Sequence, residues 1–111
     1  MENIKEMSID LETYSDVDIK KSGVYKYAES ESFEILLFAV SINGGDVIVY
    51  DLACGDVLPD EILDAIVSND IIKWAFNASF ERICLSYWMK RNYPDRFCSY
   101  SIPEDTVGNY L

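Results

Sequence analysis

Apolar and polar positions change their spacing several times along the chain, and each change marks an element. From Ile4 to Glu12 they alternate, with Met7, Ile9 and Leu11 set against Ser8, Asp10 and Glu12, as in a strand with one buried face. Phe33 to Ile42 (FEILLFAVSI) is a dense apolar run of strand length. Asp46 to Leu52 (DVIVYDL) returns as its partner across Asn43-Gly44-Gly45, residue types that accept the positive φ of a tight hairpin. Pro59-Asp60-Glu61 opens a helix with proline and acids in its first turn; Ile62, Leu63, Ile66 and Val67 form its apolar face, and Ser68-Asn69-Asp70 ends it. Ile71 to Phe76 (IIKWAF) reads as a short buried strand. Phe80, Ile83, Cys84, Tyr87 and Trp88 then recur at helical spacing, predicting a second helix from about Ala78 to Arg91. Thr13 to Ser32 reads as a long polar connection, and the tail after Asn92, with Pro94 and Pro103, shows no periodicity.

This order predicts one α/β domain over residues 1–111: three antiparallel strands, a crossover helix, a parallel strand and a helix, forming a mixed sheet with helices packed against it. Twenty acidic residues against nine basic ones give a net charge of −11. Such a surface repels nucleic acid unless metal ions or another segment supply positive charge. The chain has no histidine, which excludes a histidine general base, a Ser-His triad and a histidine-ligated zinc site within these residues. Cys54, Cys84 and Cys98 form no CxxC pair and are expected as incidental buried thiols in a reduced, cytoplasmic compartment. No basic region followed by a long apolar run is present, so neither a signal peptide nor a membrane span is expected.

Asp10 and Glu12 share one side of the first strand, with α-carbons roughly 7 Å apart. Like charges so close repel unless cations sit between them, and the spacing suits a divalent ion or a pair of ions roughly 4 Å apart. Asn77 is placed to cap the second helix, and Glu81 lies one turn in, beside the apolar stripe but outside it. Three carboxylates converging from a strand and a helix would make an oxygen-rich site for Mg²⁺ or Mn²⁺. Taken singly, the acids also fit a solvated sheet edge and Asn77 a plain cap, while Phe80, Trp74 and Trp88 fit the core. Lys20, Lys21 and Lys26, with their neighbouring tyrosines, fit either a groove for single-stranded DNA or a solvated loop.

Asp10-Leu-Glu-Thr13 resembles the first motif of the DEDD 3′–5′ exonucleases, and Asn77-Ala-Ser-Phe-Glu81, about 65 residues later, resembles their second. The stretch from Asp10 to Tyr27 (DLETYSDVDIKKSGVYKY), with Phe33-Glu-Ile-Leu-Leu-Phe38, further resembles the proofreading segment of phage and prophage family A DNA polymerases. The resemblance spans residues 7 to about 92 and implies a ribonuclease H-like fold. It implies Asp10, Glu12 and Glu81 as catalytic metal ligands of a two-metal Mg²⁺ or Mn²⁺ site, Asn77 at the terminal phosphate and Thr13 near the 3′ nucleotide. Phe80 would support the second motif by packing. The implied reaction is hydrolysis of the 3′-terminal phosphodiester of single-stranded DNA, in the service of a polymerase domain of the same parent chain. Two departures stand out: glutamate replaces the usual aspartate at 81, and the third motif is missing, since Tyr100 to Glu104 has its interval but follows Glu81 too soon. The chain therefore reads as a fragment ending before its fourth carboxylate, and poorly active alone. The alternatives are a non-catalytic ribonuclease H-like scaffold and another nuclease on the same fold.

Overall fold

The computed structural model describes residues 3–95 and, as backbone, 107–109. Strands β1 (Glu6–Tyr14), β2 (Glu34–Ile42) and β3 (Val47–Asp51) are antiparallel neighbours, and β4 (Ile72–Ala75) lies parallel to β1 on its other side. A short strand β5 (Val107–Asn109) pairs parallel with β4, completing the order β3-β2-β1-β4-β5. Helix α1 (Ile19–Glu29) joins β1 to β2, α2 (Asp60–Val67) joins β3 to β4, and α3 (Ala78–Asn92) follows β4. This is the mixed sheet that the pattern predicts, and it is compatible with the ribonuclease H-like fold that the resemblance implies.

Each predicted element is present, within about two residues of its expected ends. In the hairpin, Asn43 and Gly44 take φ 52° and 74°, the left-handed conformations that such a turn needs. Asn43 has a second task. Its Oδ1 accepts the backbone N–H of Lys5 at 2.8 Å and of Glu6 at 3.1 Å, and its Nδ2 donates to the Asn3 carbonyl at 3.0 Å, pinning the chain where β1 begins. In α2, Asp60 and Glu61 lie in the first turn, where the helix dipole favours them, and Ile62, Leu63, Ala65 and Ile66 are buried.

Two elements depart from the sequence reading. Residues 13–32 are not a structureless connection, because they contain α1. Asp18 caps it, accepting the Lys20 N–H at 3.0 Å, and Gly23 at φ 84°, ψ 168° breaks it into two segments. Around it, Asp16 accepts hydrogen bonds from the Ser30 and Ser32 hydroxyls, both at 2.7 Å. Arg91 reaches from α3 to donate to the carbonyls of Ser30 and Phe33, each at 2.9 Å. The second departure is β5, which lies in the tail read as aperiodic.

The core occupies one face of the sheet. Met7, Ile9 and Leu11 of β1 and Phe38 and Val40 of β2 are buried against Ile62, Leu63 and Ile66 of α2 and Ile83, Cys84, Leu85 and Met89 of α3, with Ala28 of α1 at the margin. The opposite face carries Ser8, Asp10 and Glu12 of β1, and at its borders Val47, Val49 and Phe76 are exposed. No helix among the described residues is long and apolar enough to cross a membrane.

Candidate functional site

In β1 the expected alternation holds: Ile9 and Leu11 are buried while Asp10 and Glu12 are exposed. Asp10 pairs with Ala39 and Glu12 with Leu37, but Thr13 pairs with Ile35. The register slips between Glu12 and Thr13, so a bulge bends the ladder just where the acids end. Bulges of this kind re-aim side chains at the rims of sheets. Asp10 lines an open hollow of about 280 Å³ on the bare face, with Ser8, Ala39, Ser41, Val47 and Phe76 around it.

The second acidic element is built by the turn from β4 into α3. Asn77 sits at φ −124°, ψ 84°, and its Oδ1 accepts the Phe80 N–H at 3.4 Å. Its carbonyl accepts the Glu81 N–H at 3.1 Å, the first i to i−4 bond of the helix. The four-residue interval from Asn77 to Glu81 is thus one capped helical turn. Asn77 itself is exposed.

Glu81 is not beside the buried stripe, as the spacing predicts, but within a second buried row. Glu81, Leu85 and Met89, four residues apart, all face inward, and Glu81 is only 5% exposed. It lines a cavity of about 10 Å³ with Ile9, Ile66, Lys73, Trp74, Ala75 and Leu85. Its Oε2 is buried with no hydrogen-bond partner among the described residues. Burial pushes the Glu81 carboxyl above the ordinary glutamate range and the charge of Asp10 adds to the rise, against the pull of the helix-terminal amides of Glu81 and Asn77. Its neighbour Cys84, fully buried, is pushed up to about 12, first by burial and then by the Glu81 charge.

The structure sets Asp10 on the bare face of the sheet and Glu81 among the core-face residues Ile9, Ile66 and Leu85, with the Asp10 charge near enough to raise the Glu81 carboxyl. It does not gather all three acids: among the described residues, no three His, Cys, Asp or Glu side chains are close enough together to hold a metal ion. The donor chemistry nevertheless fits a hard divalent cation. All donors would be carboxylate oxygens, and one of them is buried without a partner, the condition that a cation relieves.

Between the two motifs lies Tyr27, which the sequence placed only among the tyrosines neighbouring the lysines. The Tyr27 hydroxyl is 2.9 Å from Thr13 Oγ1, at the end of the first motif. The same ring packs on Phe80 of the second motif, with centroids 6.1 Å apart, and edge-on to Phe33 at 5.8 Å. A signal for it was available: Val24, Tyr27 and Ala28 follow helical spacing, and all three turn inward. Lys20, Lys21 and Lys26 are exposed on α1.

Asp16, Asp51 and Asp56 serve loops and turns. Asp51 accepts the Cys54 N–H at 3.1 Å, and Asp56 accepts the Asp51 N–H at 2.7 Å. The hydroxyls of Ser32 and Ser30 hold the Asp16 carboxyl below the usual carboxylate range. Cys84 is buried as predicted, but Cys54 is exposed because it ends a single turn of 3₁₀ helix on the surface. Phe80 and Trp88 pack against the core. Tyr100, Glu104 and Cys98 lie outside the described residues.

No family model matches the chain. Over 83 residues, 75% of its length, it is 52% identical to a protein of Bacillus phage SP02 described as a DNA polymerase. The match spans 13% of that relative, so the chain corresponds to a small part of a much longer protein.

Proposed function

We propose that this chain is part of a metal-dependent 3′–5′ exonuclease module attached to a DNA polymerase, acting on the 3′ end of single-stranded DNA. The observation that carries the reading is Glu81, a buried carboxylate with one oxygen unpartnered among the described residues, within reach of the Asp10 charge at a strand–helix junction. A carboxylate so placed is costly as a purely structural feature and makes sense as one side of a cation site. Similarity to a phage DNA polymerase supplies the polymerase context.

In this proposal Asp10, Glu12 and Glu81 hold Mg²⁺ or Mn²⁺. Bound there, such ions would supply Lewis acidity for activating a water and for offsetting charge on the departing oxygen. The chain's own residues do the rest. The exposed Asn77 amide offers a donor to the terminal phosphate at a helix N-terminus, where anions are favoured. Thr13 lies by the terminal nucleotide, and the exposed lysines of α1 offer positive charge on an acidic surface. The same proposal places the final ligand in a polymerase parent chain rather than in residues 3–95.

The test is Asp10→Ala in the full-length parent polymerase. Release of 3′-terminal nucleotides from single-stranded DNA in Mg²⁺ is expected to fall roughly a hundredfold or more, while primer extension is retained. Unchanged release would overturn the reading. The ungathered acids favour a second reading, a non-catalytic scaffold, and titration with Mn²⁺ separates the two. Equal affinity in wild type and Asp10→Ala supports the scaffold.

A further inference from the structure

We infer that Tyr27 is a positioning residue that fixes the Thr13 hydroxyl at the terminal nucleotide and locks the two acidic motifs to each other. The inference rests on the exonuclease reading and adds a residue that the motifs themselves do not contain. Three observations carry it. The Tyr27 hydroxyl is 2.9 Å from the Oγ1 of Thr13, the first β1 residue beyond the register slip against β2, in a part-buried pair. The ring packs against Phe80, the residue immediately before Glu81. The base of α1 is fastened independently of both contacts, by Asp16 to the Ser30 and Ser32 hydroxyls and by Arg91 to the Ser30 carbonyl.

The packing and the hydroxyl answer different needs. Contacts with Phe33 and Phe80 would hold a phenylalanine equally well, so core filling accounts for the ring alone. The hydroxyl is a further feature, directed at one polar atom. A threonine hydroxyl has one donor and two acceptor positions. Committing part of that capacity to Tyr27 restricts Thr13 to one rotamer and leaves the remainder in a fixed direction for a sugar or phosphate oxygen of the terminal nucleotide. A side chain held this way loses less entropy when substrate binds. The effect therefore belongs in substrate affinity rather than in the chemical step.

The experiment compares wild type, Asp10→Ala, Tyr27→Phe, Thr13→Val and the double variant in the full-length parent polymerase, on single-stranded DNA. Tyr27→Phe is expected to raise KM for the 3′ end about three- to tenfold, with kcat and melting temperature nearly unchanged. Thr13→Val is expected to do the same, and the double variant to be no worse than the poorer single one, because the two act as a unit. A wild-type KM in Tyr27→Phe beside a raised KM in Thr13→Val overturns the inference, and so do effects that multiply in the double variant. Wild type as inactive as Asp10→Ala would instead remove the exonuclease reading itself.

Discussion

At the scale of single residues, Glu81 is the feature that most needs explanation. A carboxylate with one oxygen held away from water and without a donor among the described residues destabilises the fold, and here the Asp10 charge increases the cost. Because its folded pKa lies above the ordinary value of 4.5, the folded protein keeps this proton after the unfolded chain has lost it. Stability therefore declines as pH rises from about 4.5 through the raised value, and the deficit persists above it. In the presence of EDTA, Glu81→Gln is expected to be more stable than wild type at neutral pH by about 1–2 kcal/mol, with the gap closing near pH 4. Urea denaturation at several pH values measures this. A glutamine variant less stable than wild type at pH 7 would show that the carboxylate is well solvated or paired after all. The acids were visible in the sequence as a pattern, but this burial was not, because Glu81 begins a buried row offset from the aromatic stripe on which the spacing argument relied.

Among elements, α3 shows how local chemistry sets up the site. Asn77 supplies the cap, and the same turn delivers Glu81 to the interior. Replacing Asn77 with alanine removes that acceptor and is expected to cost about 0.5–1 kcal/mol, read as a lower urea midpoint at unchanged slope. An unshifted midpoint would mean that the 3.4 Å contact contributes nothing. The strands, the hairpin and α2 were legible because their patterns are uninterrupted: strict alternation in β1, Asn43-Gly44 at the turn, and a wholly apolar helix face after Pro59. Helix α1 was not legible, because Gly23 splits it and lysines surround the short Val24-Tyr27-Ala28 signal. Strand β5 was hidden for another reason. Three residues pairing in parallel with a neighbour carry too little alternation to distinguish a strand from a tail.

Over the whole molecule, the net charge of −11 sets the conditions under which all this holds together. Acids spread over so small a body repel one another, and salt screens that repulsion within about 10 Å at 0.1 M. Raising NaCl from about 20 mM to about 0.5 M should raise the melting temperature of the 111-residue protein by a few degrees, roughly 0.5 kcal/mol. A melting temperature that falls with salt would mean that attractive pairs outweigh the excess charge. The mixed sheet was readable from the sequence of elements, whereas the place of β1 between β2 and β4 was not. That central place has a consequence for how the protein is made. As the chain leaves the ribosome, β1 can pair at once with β2, but its other edge stays open until residues 72–75 have emerged. The clasp of Arg91 on the Ser30 and Phe33 carbonyls closes later still, across 58–61 residues of sequence. Contacts this distant form slowly, so the nascent acid-bearing strand passes through a period as an unguarded edge, the stage at which a chaperone or an early stop in translation would matter most.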